Sequence, residues 1–334
     1  MKENKPTILM TYELPGDWQG ETLKAYNVIL KEDQDKGITS NLLEHLPDAA
    51  GIFCLLDDPI PAGILHSAPN LKVVSNMAVG VDNIDLAACT ELGIPVGHTP
   101  GVLTDGTADL AVALLLSVCR RLPEASEDAR QGKWSSWNPT GWLGTDLKNA
   151  TVGIVGLGKI GYAVAQRLSG FQPRIIFNSK NPKPEAAHAL NARQVSLEEL
   201  LRCSDYVCIH TALNAETQGL IDKKAFQLMK ESAILINAAR GPVVVTDDLV
   251  TALESRQILA AGLDVTDPEP LPPDHPLFKL DNCLITPHIG SATHHTRRSM
   301  AKIALQNLTA GLADLPLPHC ANPAVYQRSR IKDF

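Results

Sequence analysis

The sequence has little aromatic content, 4% Phe, Trp and Tyr, no excess of positive charge, and no paired cysteine motif. Each shortage narrows the function. Thirty Lys and Arg against 37 Asp and Glu leave a net charge of −7, so the chain as a whole repels phosphate backbones and anionic headgroups. Neither nucleic acid nor a membrane surface is an expected partner. Apolar residues never run on for the roughly 18 positions that a membrane span needs, and the short apolar run near the start is too brief for a secretory leader. The seven cysteines, at 54, 89, 119, 203, 208, 283 and 320, are odd in number and lack Cys-x-x-Cys spacing. A disulfide framework and a zinc site are therefore not expected, whereas free thiols in a reducing cytoplasm are. What remains is a 334-residue chain, 44% hydrophobic and 20% charged, enough for about two globular domains.

Short apolar segments at 7–11, 51–56 and 71–75 read as buried strands separated by polar, helix-length stretches. This first region ends near Gly101. Thr104 to Thr107 then looks like a capped entry to an apolar helix from Asp109 to about Arg121, closed by Pro123. From there β-rich segments begin at Thr151, Arg174, Tyr206, Ala233, Ala260 and Leu284, at intervals of 23 to 32 residues. Those intervals suit βα units. Ser196 to Glu199 forms a capping box, 246–254 reads as a helix, and a last long helix spans about 293–312 before a Pro-containing tail. Six such strands predict a doubly wound parallel sheet.

The strand at Thr151 runs into Gly156-Leu157-Gly158-Lys159-Ile160-Gly161 and then a helical stretch. Strand, glycines and helix come in the order that a dinucleotide needs. Gly156 would make the tight turn, Gly158 would let the backbone approach a diphosphate, Gly161 would pack helix on strand, and the helix amides would face the phosphates. After the next strand, where an Asp or Glu would bind both ribose hydroxyls, the sequence reads Phe177-Asn178-Ser179-Lys180, with no acid before Glu185. Ser179 and Lys180 can instead pair with a 2′-phosphate. NADP is therefore the expected cofactor, ahead of NAD.

Three later segments carry candidate chemistry: Asn237-Ala238-Ala239-Arg240-Gly241, Asp264 through Glu269 to Pro270, and Thr286-Pro287-His288-Ile289-Gly290. Each follows a predicted strand, and strand ends of a parallel sheet share one edge with the nucleotide crevice. Arg240 offers a planar charged fork for a substrate carboxylate and carbonyl oxygen. An imidazole ordinarily titrates near about 6.5, so His288 can give a proton to a developing alkoxide, and Glu269 hydrogen-bonded to it would favour the protonated form.

The order GLGKIG, NAARG, AGLDV with PEP, and PHIGSAT resembles the D-isomer-specific 2-hydroxyacid dehydrogenases over almost the whole chain. The segments NMAVGVD at 76–82, LTD at 103–105, CRRLPEA at 119–125 and LDVTDPEPLP at 263–272 resemble the glyoxylate and hydroxypyruvate reductase branch. The resemblance implies an α/β protein of two Rossmann-like domains, one flavodoxin-like and one doubly wound and NAD(P)-binding, with a cleft between them. Residues 1–101 plus 290–334 would bind substrate and 102–289 the dinucleotide, with hinges near Gly101 and Ile289-Gly290. It implies Arg240, Glu269 and His288 as the catalytic set, Val79 and Gly80 amides on the substrate carboxylate, and Asp264 on the nicotinamide carboxamide. Thr107, Ala238, Ala239, Arg240, His288 and Gly290 would also line the cofactor. NADPH-dependent reduction of glyoxylate or hydroxypyruvate to glycolate or D-glycerate is the implied activity. At Ala212 relatives usually have Pro, so the loop there departs from the pattern.

Trp134, Trp137 and Trp142 crowd one Gly- and Pro-containing stretch of an aromatic-poor chain. Dimers of the resembled family pack there, so a homodimer is expected, and Trp142 could reach the partner's site and limit substrate size. His294 and His295 are adjacent on a helix, about 100° apart, without nearby acid or thiol. No metal is expected. Two other functions fit the same residues: an NADH-using reductase of another small 2-oxo acid, and a dinucleotide-sensing scaffold like the corepressors that share this fold.

Overall fold

In the computed structural model of the chain, residues 5–32, 35–39 and 41–329 are described. The chain divides into two compact units, one from Met1–Leu103 with Thr293–Phe334, the other Thr104–Ala292. Both junctions fall slightly C-terminal of 101/102 and 289/290.

The first unit holds five parallel strands, β1 (Thr7–Met10), β2 (Asn27–Leu30), β3 (Ala49–Cys54), β4 (Val73–Asn76) and β5 (Val96–Gly97), in the order β2-β1-β3-β4-β5. Strands β1, β3 and β4 are the three apolar runs of the sequence; covered on both faces, parallel strands read as near-continuous hydrophobic segments. The edge strands β2 and β5 were not expected. β2 is only partly buried and β5 has two residues, so neither carries enough apolar length to stand out.

The helix His294–Leu312, capped by Thr293 accepting from the Thr296 amide, joins this sheet from the far end of the sequence. Ala301, Ala304, Leu305 and Leu308 are buried, and the Ser75 hydroxyl donates to the Ala304 carbonyl at 2.7 Å. Its approach is close enough that a Cβ on Gly97 would come within 2.5 Å of Asn307. That contact explains why the C-terminal segment belongs with the N-terminal strands.

The second unit holds seven parallel strands, β6 (Thr151–Val155), β7 (Arg174–Asn178), β8 (Arg193–Gln194), β9 (Tyr206–Ile209), β10 (Ile234–Asn237), β11 (Ala260–Leu263) and β12 (Cys283–Ile285). Their order is β12-β11-β10-β9-β6-β7-β8. All six expected strands form, with the two-residue β8 added at the edge. The chain direction of winding reverses between β6 and β9, the switch point at which open α/β sheets bind nucleotides.

Two details differ from the sequence reading. The apolar helix is Thr104–Cys119, so Thr107 lies inside its first turns, and Pro123 opens a second helix, Leu122–Arg130, instead of closing the first. Proline suits a first turn because the missing N–H has no partner there. The capping box is half formed. Ser196 accepts from the Glu199 amide at 3.1 Å, but the Glu199 carboxylate pairs with Arg193 at 2.7 Å.

All seven cysteines are free. Burial pushes the thiols of Cys89 and Cys208 up to about 12, so both behave as small apolar fillers. Among the described residues no helix is long and apolar enough to cross a membrane.

Candidate active site

The β6 turn uses its three glycines differently. Gly156 has φ +94°, and a Cβ there would lie 2.7 Å from the Thr211 amide. Only glycine fits. A Cβ on Gly161 would overlap the Gly156 carbonyl oxygen, so this position sets the seating of the helix Lys159–Leu168 on the turn. At Gly158, the N-cap of that helix, a Cβ would meet no protein atom within 4 Å. Protein packing does not demand glycine here, whereas close approach of a diphosphate would. The Lys159 and Ile160 amides, in the first turn, have no acceptor among the described residues. Leu157, between the glycines, is buried.

Beyond β7, the Asn178 carbonyl accepts from the Gly156 amide at 2.9 Å and its carboxamide donates to Val195 at 3.0 Å. The Ser179 carbonyl accepts from Gln194. Lys180 does not stand free: its ammonium pairs with both Glu216 oxygens at 2.7 Å, on an exposed surface. An exposed pair is worth little, about 0–1 kcal/mol, and an arriving phosphate can compete for it.

Sequence reading missed His210, which follows β9 and touches the same turn. Both ring nitrogens are buried without a hydrogen-bond partner, and burial lowers the imidazole from 6.5 to about 4. This burial makes stability depend on pH. Above about 6.5 the ring is neutral in both folded and unfolded chains; as pH falls towards about 4 only the unfolded chain takes up the proton, so stability drops by about 3 kcal/mol. Without dinucleotide, the melting temperature should fall across this interval, and His210→Phe should flatten that part of the curve. An unchanged slope would show that the ring is not buried neutral.

At the ends of β10, β11 and β12 three side chains come together. After β10, the Asn237 carboxamide shapes the turn by donating to the Arg240 carbonyl at 3.0 Å and accepting from the Ala239 amide at 3.1 Å. Ala238 is buried, and Arg240 is half-buried with Nη1 donating to the Ala239 carbonyl at 2.9 Å. Glu269 accepts from the Thr266 amide at 3.2 Å through Oε2, and its Oε1 lies 2.6 Å from His288 Nδ1. Burial pushes the Glu269 carboxyl up, but the His288 hydrogen bond and charge, the Thr266 amide and the Arg240 charge outweigh it and hold the group below its ordinary value. A carboxylate can only accept, so Nδ1 carries a proton and Nε2 is left without a partner among the described residues.

The His288 backbone has φ +52°, a left-handed conformation uncommon for a side chain of this size. Asp264 holds it there. The His288 amide donates to the Asp264 carbonyl at 2.9 Å, and the Asp264 carboxylate accepts from Thr286 Oγ1 at 2.7 Å and from the Ile289 and Gly290 amides at 2.8 Å each. Burial pushes this carboxyl above its ordinary range, with the same hydrogen bonds opposing. Asp264 thus serves the His288 loop directly. Gly290 brings Thr107 to the same point, since a Cβ there would lie 3.1 Å from Asp264 Oδ2 and 3.3 Å from the Thr107 methyl.

Val79 and Gly80 lie in the other unit, on the loop after β4, apart in sequence from the strand ends just described. Trp142 donates from Nε1 to Asp128 at 3.0 Å, which ties it to the helix Leu122–Arg130 of its own chain. The neighbouring Trp134 and Trp137 are the exposed pair, at 67% and 82%. The loop at Ala212 is closed by Thr217 Oγ1 donating to the Ala212 carbonyl at 2.7 Å.

A glycine turn open at Gly158, unpaired helix amides and a proton-carrying imidazole on one sheet edge fit a nicotinamide dinucleotide and a carbonyl reaction. The profile for the D-isomer specific 2-hydroxyacid dehydrogenase NAD binding domain matches residues 112–290. The chain belongs to that family. The human protein named glyoxylate reductase/hydroxypyruvate reductase is 47% identical over 315 residues, 93% of this chain and 96% of that one. Glyoxylate reductase of Thermococcus litoralis is 44% identical over 310 residues, 92% of this chain and 93% of its own length. Among solved structures, the NADPH-dependent glyoxylate/hydroxypyruvate reductase of Sinorhizobium meliloti in complex with NADP and malonate has a TM-score of 0.85 at 29% identity, covering 96% of this chain and 98% of that one. As a member of the 2-hydroxyacid dehydrogenases, the chain binds NAD(P) through its seven-stranded unit.

Proposed function

We propose that the chain is a cytoplasmic, NADPH-dependent reductase that converts glyoxylate to glycolate and hydroxypyruvate to D-glycerate. The observation that carries the reading is the Glu269–His288 pair at 2.6 Å with Nε2 unpartnered among the described residues, in a chain so similar to proteins named glyoxylate reductase.

A dinucleotide bound there would supply the hydride for the carbonyl carbon. His288 passes the Nε2 proton to the oxygen as charge develops there, and Glu269, kept ionised, balances the imidazolium before transfer. Arg240 orients the carboxylate and polarises the carbonyl. The Gly156–Gly161 turn would carry the diphosphate, Thr107, Ala238, Ala239, Asp264 and Gly290 would line the nicotinamide end, and the Val79 and Gly80 amides would take the substrate carboxylate.

NADP is favoured over NAD because Asn178 and Ser179 stand where a ribose-binding acid would repel a 2′-phosphate. Lys180 adds to this only when the phosphate displaces Glu216. Leu122, Trp134, Trp137 and Leu143 are exposed large apolar side chains within one 22-residue stretch and would serve a second copy in a homodimer, and the free thiols suit the cytoplasm.

The test is kcat/KM for glyoxylate, hydroxypyruvate and pyruvate with each nucleotide. Glyoxylate and hydroxypyruvate should exceed pyruvate, and NADPH should exceed NADH by about tenfold or more, roughly the worth of one charge-assisted hydrogen bond. An NADH preference would overturn the cofactor assignment.

A further inference from the structure

The loop after β4 presents three consecutive peptide units whose carbonyls are all held from behind. The Ala78 carbonyl accepts from the Thr99 amide at 2.8 Å, the Val79 carbonyl lies 3.0 Å from His98 Nδ1, and the Gly80 carbonyl accepts from Asn76 Nδ2 at 3.0 Å. In a trans peptide the C=O and the following N–H point opposite ways. Holding those three oxygens therefore aims the Val79, Gly80 and Val81 amides away from Thr99, His98 and Asn76. None of these amides donates a hydrogen bond among the described residues. Successive amides aimed outward make an anion site from backbone alone.

We infer that His98 is a positioning residue for substrate carboxylate: by gripping the Val79 carbonyl it presets the Gly80 amide. This rests on the reading that these amides receive the carboxylate.

The three grips are not equivalent. Thr99 acts through its backbone, and Asn76 is fully buried, with a second hydrogen bond to Asn83 that in turn donates to the Leu55 and Asp58 carbonyls. His98 is only half-buried, so its ring can be changed without opening the core. Its own backbone is clamped on both sides, the amide donating to His319 at 3.1 Å and the carbonyl accepting from Asn307 at 2.9 Å. A carbonyl oxygen can only accept, so Nδ1 carries the proton in this contact. The grip survives in both the Nδ1-protonated neutral ring and the imidazolium.

The experiment compares full-length wild type, His98→Leu and His98→Asn in glyoxylate reduction at saturating NADPH, with NADPH affinity measured separately. Leu keeps bulk and removes the donor; Asn places an amide N–H near the Nδ1 position. His98→Leu should raise the glyoxylate KM about tenfold, the equivalent of one hydrogen bond to a charged group, with kcat and NADPH affinity unchanged within twofold. His98→Asn should restore most of the KM. An unmoved KM in His98→Leu, parallel losses of kcat and NADPH affinity, or no rescue by Asn would each overturn the inference. If the wild type reduces no 2-oxo acid, the reading beneath it falls as well, an outcome distinct from a variant that matches an active wild type.

Discussion

Replacing His288 by Asn is expected to lower kcat for 2-oxo acid reduction by about 10²–10⁴-fold, the usual contribution of a positioned proton donor. Asn is the informative choice because of the backbone. With φ at +52° the position disfavours most side chains, and Asn is among the few that enter the left-handed region readily. The loop should therefore keep its hydrogen bonds to Asp264, which involve the His288 backbone and its neighbours and not the ring. NADPH affinity should stay within about twofold, separating proton supply from loop collapse. Only the group that faces Glu269 through Nδ1 and leaves Nε2 open has been removed. A kcat within tenfold of wild type, with the variant folded, would remove His288 as proton donor.

The parts legible in the sequence were those written in local patterns. Strands β6, β7, β9, β10, β11 and β12 showed because buried parallel strands are apolar throughout, and the glycine turn showed because strand, glycines and helix are contiguous. Arg240, Glu269 and His288 could be singled out because each follows such a strand. What stayed hidden depends on contacts between distant residues or on elements too short to have a pattern. β2, β5 and β8 are edge strands of two to four residues. Lys180 read as an open cation, but its partner Glu216 lies 36 residues away, beyond two helices and two strands. The burial of His210 follows from its place in the middle of a sheet edge, which a lone His in a sequence does not reveal. Asp264 looked like a cofactor contact by resemblance; the three donors on its carboxylate, all within 286–290, show a direct structural duty that only coordinates could assign.

Gly241→Ala tests how tightly two of these strand-end loops are joined. A Cβ on Gly241 would overlap the carbonyl carbon and oxygen of Thr266 and approach the Asp267 amide at 2.8 Å, all backbone atoms with no side chain to swing aside. One chain or the other must shift. On one side the neighbour is Arg240, whose carbonyl is held by Asn237; on the other, Thr266 donates through its amide to Glu269, and its hydroxyl donates to the Pro268 carbonyl at 2.9 Å. A displacement large enough to admit a methyl group therefore moves the guanidinium, or the carboxylate that sets the His288 ring, and reactions of this kind lose about 10²-fold for a misplacement near 1 Å. The same backbone overlap should cost about 3 kcal/mol of stability, at the upper end for overpacking. The variant is expected to melt several degrees lower and to lose at least about 100-fold in kcat/KM, with most of the loss in kcat. Affinity for 2′-phospho-ADP-ribose, which lacks the nicotinamide, offers the internal control, since it would rest on the Gly156–Gly161 turn of a different strand. A Gly241→Ala protein with normal kcat would mean that the Arg240 and Glu269 loops can part without consequence, and that close packing between them does not set the geometry at His288.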